Sequence, residues 1–198
     1  TFASPYVAYD HSHGPNRGRL HLVYAEESPD ESDDFDILAR FSDNDGTSWS
    51  SAVQVNEDPN SFSQFFQAIS VDPVSGVLFV SWYDARNDRN DDTPGDIDTD
   101  NAVNTEVEYF VTASIDGGLT FLPNVRVSDA ASAENRADLP PQNPPPPPPP
   151  NSDLNDFGDY TGIAAFGGEA FMAWPDNSDS TGDNPDAATT FEVYFDKV

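Results

Sequence analysis

The sequence predicts an all-β protein made of repeated units of about four antiparallel strands. Short runs of β-branched and aromatic residues recur along the 198-residue chain, and Asp, Asn, Gly and Pro separate them. Helical periodicity is almost absent. A pattern of strand, Gly-containing turn, strand and acidic residue also occurs three times. Together these observations favour a stack of antiparallel sheets.

Each of the three units opens with a similar hairpin and continues through an acidic segment into a third β run. The hairpins are SPYVAYDHSHGPNRGRLHLVYAEE from Ser4, FQAISVDPVSGVLFVSWYDAR from Phe66 and YTGIAAFGGEAFMAWPDNS from Tyr160. The third runs are DILARFS from Asp36, VEYFVTAS from Val107 and FEVYFDKV from Phe191. Trp82 and Trp174 hold equivalent positions in this repeat, which predicts that both lie in the core.

In the first two units a tight turn and a fourth strand follow the third run. The turns are SDNDGTSW and SIDGGLTF, and the fourth strands are SAVQVNED and LPNVRVSD. We therefore divide the chain into one sheet over 1–58, a second over 59–138 and an incomplete third over 156–198. Residues 139–155 form a Pro-rich connector with seven consecutive prolines. Such a run favours a stiff polyproline II rod, which serves as a spacer or as a ligand for a proline-binding module.

The two turns share the pattern Ser/Thr-x-Asp/Asn-x-Gly-x-Ser/Thr-aromatic. Its members are Ser42, Asn44, Gly46, Ser48 and Trp49 in the first turn, and Ser114, Asp116, Gly118, Thr120 and Phe121 in the second. Gly permits a positive φ, side-chain oxygens satisfy the turn amides, and the aromatic residue anchors the turn. The pattern resembles the Asp-box, or BNR repeat, of the sialidase-like β-propellers. In that family the Asp-box is structural and lies on the face away from the active-site funnel.

The resemblance implies an incomplete ring. β-Propellers close with about four to eight blades, whereas about three are present here. The chain also begins at Thr1 without a leader-like segment. We expect a fragment or processed part of a longer protein whose remaining blades complete the ring, or copies of this chain that associate with one another.

The charge of the chain excludes several classes of partner. Asp and Glu number 36 against 8 Lys and Arg, which gives a formal net charge of -28. Phosphate groups of nucleic acids and anionic membrane surfaces need clustered cations, so neither is expected as a partner. The sequence contains no Cys, which excludes disulfides and thiolate chemistry. It also has no run of 18 apolar residues, so no membrane insertion is expected.

The acidic residues are concentrated between the second and third strands of each unit. Residues 26–36, 84–108 and 176–192 hold 7, 9 and 5 of them. In a propeller these loops share the funnel face, and dense carboxylates favour Ca²⁺, a hard cation with oxygen ligands. The candidate ligands are Asp84, Asp88, Asp96, Asp98, Asp100 and Glu106, with DIDTDN as the best local pattern. The alternative is a solvated acidic face or adaptation to high salt.

No catalytic residue is assigned. The resemblance implies that a sialidase of this family needs an arginine triad, a Tyr nucleophile with a Glu partner and an Asp acid/base. The seven arginines of this chain show no clear family arginine motif before the first turn. The expected function is a non-catalytic binding or structural propeller module, stabilised by calcium, with a glycan or protein ligand. The resemblance places it outside a bacterial cell, secreted or on the surface.

Two alternative functions remain open. The chain is either part of a sialidase-type glycoside hydrolase whose catalytic residues lie in other blades, or a self-associating surface protein whose exposed strands pair between copies.

Overall fold

The computed structural model describes residues 5–27, 35–58, 62–87, 106–133, 160–176, 178 and 192–198. Every regular element in these ranges is a β-strand, so the all-β prediction is confirmed. The strands are β1 (Tyr6–Tyr9), β2 (Leu20–Glu27), β3 (Phe35–Ser42), β4 (Val53–Gln54), β5 (Gln64–Val71), β6 (Leu78–Asp84), β7 (Glu106–Ser114), β8 (Val125–Arg126), β9 (Ser132–Ala133), β10 (Gly162–Phe166), β11 (Glu169–Asp176) and β12 (Glu192–Lys197). Within these ranges no helix long and apolar enough to cross a bilayer is found. The Pro-rich connector lies outside the described residues.

The strands form three antiparallel sheets in which chain order equals spatial order. The first sheet is β1-β2-β3-β4, the second is β5-β6-β7-β8, and the third is β10-β11-β12. Strand β9, which the sequence did not predict, pairs with β7 beside Glu106 and Val107. This meander of one hairpin after another is the arrangement expected of propeller blades.

The three sheets stack face to face, with the second sheet in the middle. Its strand β6 (LFVSWYD) is buried at every position because both of its faces are covered. In contrast, β2 alternates between buried and half-buried residues, as expected when only one face is covered. The local sequence of β6 follows from this position, since a strand covered on both sides needs a nearly continuous apolar run.

Two apolar cores lie between the three sheets. The core between the first and second sheets consists of Val23, Ala25, Ile37, Ala39, Val55, Leu78, Val80, Trp82 and Phe110. The core between the second and third sheets includes Phe79, Tyr83, Tyr109, Val111, Ala170, Met172 and Trp174. In the second core Tyr109 and Trp174 stack with ring centroids 4.8 Å apart. Burial of both Trp82 and Trp174 agrees with their prediction as core residues.

Strand β5 carries a backbone irregularity that the sequence does not announce. The β5–β6 register shifts between Phe65 and Ala68, and Phe66 has a φ of +50°. A bulky residue seldom adopts a positive φ, so this conformation stores strain of about 1–3 kcal/mol. The carbonyl oxygen of Phe66 accepts a hydrogen bond from Thr161 Oγ1 at 2.9 Å. The bulge therefore joins the first strands of the second and third sheets.

Candidate functional site

The molecule has two chemically different ends. The loop end holds the residues that flank the acidic segments, at the ends of β2, β6 and β11 and the starts of β3, β7 and β12. The turn end holds the hairpin turns between β1 and β2, β5 and β6, and β10 and β11, together with the turns after β3 and β7. Neighbouring hairpins meet at the turn end, where Ser12 lies beside Gly76 and Asp72 contacts Gly168. The three sheets therefore point the same way.

A buried polar cluster joins the first and second sheets at the loop end. It consists of Asn56, Asp58, Gln64, Asp84 and Arg86, and is here called the Asp84 cluster. Gln64 Nε2 lies 3.2 Å from Oδ2 of Asp58 and 3.5 Å from Oδ1 of Asp84. Asn56 Nδ2 donates to Oε1 of Gln64 at 2.8 Å and to Oδ1 of Asp58 at 2.8 Å. The end of the first sheet is thus tied to the start of β5.

Asp84 is the centre of this cluster and has no exposed surface. Its carboxylate accepts hydrogen bonds from Trp82 Nε1 at 2.7 Å, from the backbone N–H of Arg86 at 2.9 Å and from Arg86 Nη2 at 2.6 Å. A buried carboxylate is tolerated when it is paired and hydrogen-bonded. These donors meet that requirement from within the chain.

Arg86 holds the two acids of the cluster together. Its Nη2 lies 2.6 Å from Asp84 Oδ2 and 3.6 Å from Asp58 Oδ1, and its guanidinium covers the ring of Phe110 at 4.4 Å. Burial alone would lower the pKa of Arg86, but the bond to Asp84 and the surrounding negative charges raise it. Burial raises the pKa of Asp58, and the hydrogen bond from Asn56 only partly offsets this effect.

Beside the Asp84 cluster lies a shallow pocket between β6 and β7, whose lining residues are Asp84, Asn87, Glu106, Val107, Glu108 and Ala131. The carboxylate of Glu108 is held on both oxygens, by Asn87 Nδ2 and by Arg126 Nη1. Two predicted calcium ligands, Asp84 and Glu106, therefore line the same pocket. The other four, Asp88, Asp96, Asp98 and Asp100, lie outside the described residues.

No group of three His, Cys, Asp or Glu side chains suited to a metal ion occurs in the ranges that the structure describes.

The pairing of Trp82 with Asp84 recurs in the third sheet. Trp174 Nε1 donates to Oδ2 of Asp176 at 3.1 Å, and the backbone N–H of Ser178 donates to Oδ1 of the same carboxylate at 2.6 Å. The spacing Trp-x-Asp is visible in the sequence at both places. It is the signal from which the buried role of Asp84 could have been recognised.

The described arginines do not converge on one site. Arg17 donates to the backbone oxygens of His11 and Ser12. Arg40 donates to Tyr24 OH and to the carbonyl oxygen of Ser50. The remaining three, Arg19, Arg86 and Arg126, pair with Asp43, Asp84 and Glu108. Each is held at a separate place, so the described residues do not assemble an arginine triad. Arg89 and Arg136 lie outside the described residues.

The turn end contains the two turns singled out by their sequence pattern. In the turn 42–49, here the first turn, Ser42 Oγ accepts from the N–H of Gly46 at 2.9 Å, and Asn44 Oδ1 accepts from the N–H of Ser48 at 2.9 Å. The turn 114–121, here the second turn, repeats this plan. Ser114 Oγ accepts from the N–H of Gly118 at 2.8 Å, and Asp116 Oδ1 accepts from the N–H of Thr120 at 3.0 Å.

The aromatic residue at the end of each turn lies where it can anchor that turn. Phe121 packs against the core between the first and second sheets. Trp49 lies next to Gly46, at 3.7 Å from where a Cβ on that glycine would be. The ten residues of the shared pattern thus form two closely similar turns.

Arg19 links the two turns across the sheets. Its Nε and Nη2 donate to the carboxylate of Asp43 in the first turn, at 2.8 and 3.0 Å. Its Nη1 donates to the carbonyl oxygen of Gly117 in the second turn at 2.8 Å, and its guanidinium lies 3.8 Å from the centre of the Phe41 ring. One side chain therefore fixes the position of one turn relative to the other.

Asp72 makes a comparable link between the second and third sheets. This buried carboxylate closes its own hairpin through the N–H of Val74 and reaches the N–H groups of Gly167 and Gly168, at 3.1 and 2.6 Å. Burial would raise the pKa of Asp72, but the hydrogen bonds from Ser75, Val74 and the two glycines outweigh it and lower the pKa to about 2.

Comparison with solved structures gives the class of fold. The chain is similar to an alpha-L-arabinanase from Penicillium chrysogenum, with 18% identity and a TM-score of 0.53 over 90% of this chain and 42% of that one. It also matches an alpha-L-arabinofuranosidase from Fusarium graminearum (13% identity, TM-score 0.47, 99% of this chain and 46% of that one). A third match is an intramolecular trans-sialidase from Ruminococcus gnavus, with 13% identity and a TM-score of 0.45 over 97% of this chain and 33% of that one.

These structures are β-propeller glycosidases, and the likeness to the arabinanase supports a partial propeller fold for this chain. The identities are too low to carry more than the fold. No protein-family model matches the chain, and no curated protein matches it. The chain spans less than half the length of each of the three structures.

Proposed function

We propose that this chain is a non-catalytic, structural part of a glycosidase-type β-propeller. Its loop end presents acidic segments for binding. The observation that supports this proposal most directly is the state of the charged groups. Asp84, Glu108 and all five described arginines are engaged by partners in the chain. These contacts hold strands, turns and loops in place, and they keep the charged groups engaged and unavailable for acid/base chemistry on a sugar.

Asp58 is the strongest catalytic candidate against this proposal, because its pKa is raised as a general acid requires. However, Asn56, Gln64 and Arg86 surround its carboxylate. Glycosidases also need a second carboxylate placed across the scissile bond, and its neighbour Asp84 is fully buried in hydrogen bonds. The two acids therefore act as a structural pair.

An activity assay tests the proposal. We expect no turnover of a fluorogenic sialoside or arabinofuranoside by the chain beyond that of buffer. The matched variant is Asp58→Asn, which removes the candidate acid and keeps the shape of the side chain. Turnover by the chain that this variant abolishes would overturn the proposal and establish the alternative of a glycoside hydrolase. The fold likeness to an arabinanase is what supports that alternative.

We further propose that Ca²⁺ binds the acidic segment between β6 and β7. Carboxylate density supports this, since residues 84–108 contain nine acids. Calorimetric titration of chelator-treated protein at moderate ionic strength should show heat of binding and a rise in melting temperature. Both should disappear in the triple variant D96N, D98N, D100N and persist in the control Asp129→Asn. The absence of heat in the parent chain would leave the solvated acidic face as the explanation.

We propose, finally, that the two turns are Asp-boxes and that the protein acts outside a bacterial cell. The repeated Ser–Gly and Asx–Ser/Thr hydrogen bonds support the first assignment. The resemblance of the turn sequences to sialidase-like propellers supports the second. Fractionation of the native source, with detection of the protein in the medium or on the surface, tests the location.

A further inference from the structure

The outward faces of the first and third sheets carry residues suited to burial. On the third sheet the strand register places one set of residues on the face turned away from the second sheet: Gly162, Ala164, Phe166, Glu169, Phe171, Ala173, Pro175, Val193, Phe195 and Lys197. Val193 and Phe195 are 78% and 65% exposed. The only charged members, Glu169 and Lys197, pair with each other at 3.1 Å. In a chain with a net charge of -28, a face with no net charge is exceptional.

The outward face of the first sheet is also apolar over β1 and most of β2, and the register adds Arg40 beside Leu22 and the acids Glu26 and Asp36 at the loop end. Register places Val7 beside Leu22, Tyr9 beside Leu20, and Tyr24 beside Leu38 on one face. Val7 is 59% exposed and Tyr9 is 41% exposed. The opposite face of the same sheet, with Val23 and Ile37, is fully buried against the second sheet.

The internal repeat shows what each outward face lacks. Leu20, Leu22 and Tyr24 are equivalent in sequence to Leu78, Val80 and Trp82, and to Ala170, Met172 and Trp174. The latter two rows are completely or almost completely buried, each against the sheet that precedes it in the chain. The row in the first sheet is only half-buried among the described residues.

The third sheet presents the other half of the same interface. Phe171, Ala173 and Pro175 are equivalent to Phe79, Ser81 and Tyr83, which are buried under the next sheet. At each interface within the chain, a row equivalent to Leu20, Leu22 and Tyr24 covers a row equivalent to Phe171, Ala173 and Pro175. The exposed Leu20 row of one copy therefore matches the exposed Phe171 row of another copy. By the repeat, each outward face therefore corresponds to the surface that covers the other.

We propose that the outward face of the third sheet of one copy binds the outward face of the first sheet of a second copy. A twofold arrangement makes this contact twice and closes a ring of six sheets, within the four to eight that propellers contain. The chain corresponds to 42% of the length of the arabinanase, so two copies supply nearly the length of one such propeller. This inference rests on the sheet faces and on the fold likeness to the arabinanase, and it is independent of the proposed non-catalytic role.

Light scattering after gel filtration measures the predicted association. We expect a mass of twice 21.5 kDa, favoured by high salt because the acidic copies repel one another. Phe195→Asp or Val7→Asp should restore the 21.5 kDa monomer with unchanged circular dichroism. The control Ile115→Asp, which adds the same charge at an exposed position of the second turn, should remain a dimer. A parent chain that stays at 21.5 kDa in about 1 M NaCl, or that grows without limit, overturns the proposal.

Cross-linking identifies the two faces, because the chain has no Cys of its own. Leu22→Cys and Ala173→Cys place single thiols at matching rows of the two faces. A short bis-maleimide should cross-link a mixture of the two variants at least tenfold more than either variant alone. Equal cross-linking within the Ala173→Cys variant alone would show face-to-face pairing of third sheets and contradict the head-to-tail contact.

Discussion

The first turn (42–49) and the second turn (114–121) share a hydrogen-bond plan but differ in surroundings and chemistry. Asn44 both accepts and donates, since its Nδ2 donates to Ser48 Oγ at 2.8 Å. Asp116 only accepts, from Ser114 Oγ, Leu119 N–H and both donors of Thr120. Burial would raise the pKa of Asp116, but these hydrogen bonds outweigh it and lower the pKa to about 2. The same turn is built once with a neutral amide and once with a carboxylate.

The two turns also differ in their surroundings. The second turn packs against the first sheet: its Gly117 and Gly118 are buried beside Asn16, Arg19 and His21. In contrast, the first turn is exposed at Asp43, Asn44 and Asp45. The second turn is therefore part of the joint between the first and second sheets, whereas the first turn is exposed and is tied to the second turn through Arg19.

The largest expected difference between the two turns is the loss of stability in acid, which His21 should cause beside the second turn. This side chain is 2% exposed beside the second turn, and its Nδ1 has no partner among the described residues. Burial, helped by Arg19 and opposed by Asp10 and Asp43, lowers its pKa from 6.5 to about 4. The unfolded chain therefore binds the proton more tightly, and stability present above pH 6.5 is lost as the pH falls towards 4, by roughly 3 kcal/mol.

Urea unfolding at several pH values checks this prediction. The His21→Gln variant should lack the histidine contribution while keeping that of the carboxylates. The difference between parent and variant is expected to change steadily between pH 6.5 and 4. A constant difference over that window would mean that His21 is accessible to protons in the folded state.

Gly117→Ala should destabilise the protein by about 2.5 kcal/mol. Gly117 has a φ of +76°, and a Cβ there would lie 2.5 Å from Asn16 Cγ and 2.7 Å from Arg19 Nη1. The matched change in the first turn is Asp45→Ala, at a φ of +56° and an exposed position. It should cost less than about 1 kcal/mol, since Asp tolerates this conformation only slightly better than Ala. Similar losses in thermal unfolding would contradict the role of the second turn as a joint.

Asp116→Ala should cost about 2 kcal/mol, because it removes four hydrogen bonds to a charged acceptor. Asn44→Ala should cost about 1 kcal/mol, because the bonds that it removes are those of a neutral amide. Chemical denaturation of both variants measures the difference. Exchange of the two residues, with Asp116→Asn and Asn44→Asp, should remove acid sensitivity from the second turn and create it in the first.

Arg19→Lys should have the smallest effect, about 1 kcal/mol. Lysine keeps the charge but cannot hold the two oxygens of Asp43 and the carbonyl oxygen of Gly117 at once. A double-mutant cycle with Asp43→Asn measures the coupling between Arg19 and Asp43. Additive losses would show that this pair contributes no coupling energy to the position of the first turn.

Much of the fold follows from local sequence. Alternation in LHLVYAEE and the continuous run LFVSWYD predict a strand covered on one face and a strand covered on both, as β2 and β6 are. Glycines at Gly46 and Gly118 predict turns with positive φ, and both glycines have it. These features depend only on residues that are close together in the sequence, so a local pattern is enough to predict them.

The Asp84 cluster and the bulge at Phe66 could not be predicted in this way. Asn56 and Gln64 meet because β4 and β5 belong to adjacent sheets, and no local pattern records that distance. Phe has no preference for a positive φ, so tertiary contacts such as the bond from Thr161 impose it. For the candidate site, the sequence pointed to the acidic loop end, while the buried partners emerged only from packing between sheets.

The reach of Asp72 into the following hairpin has a consequence for synthesis on the ribosome. Its carboxylate is completed by Gly167 and Gly168, which are translated about a hundred residues later. Before those glycines have emerged, the carboxylate has only the donors of its own hairpin, Val74 and Ser75. The full set of hydrogen bonds to Asp72 is therefore complete only after the third sheet has packed against the second.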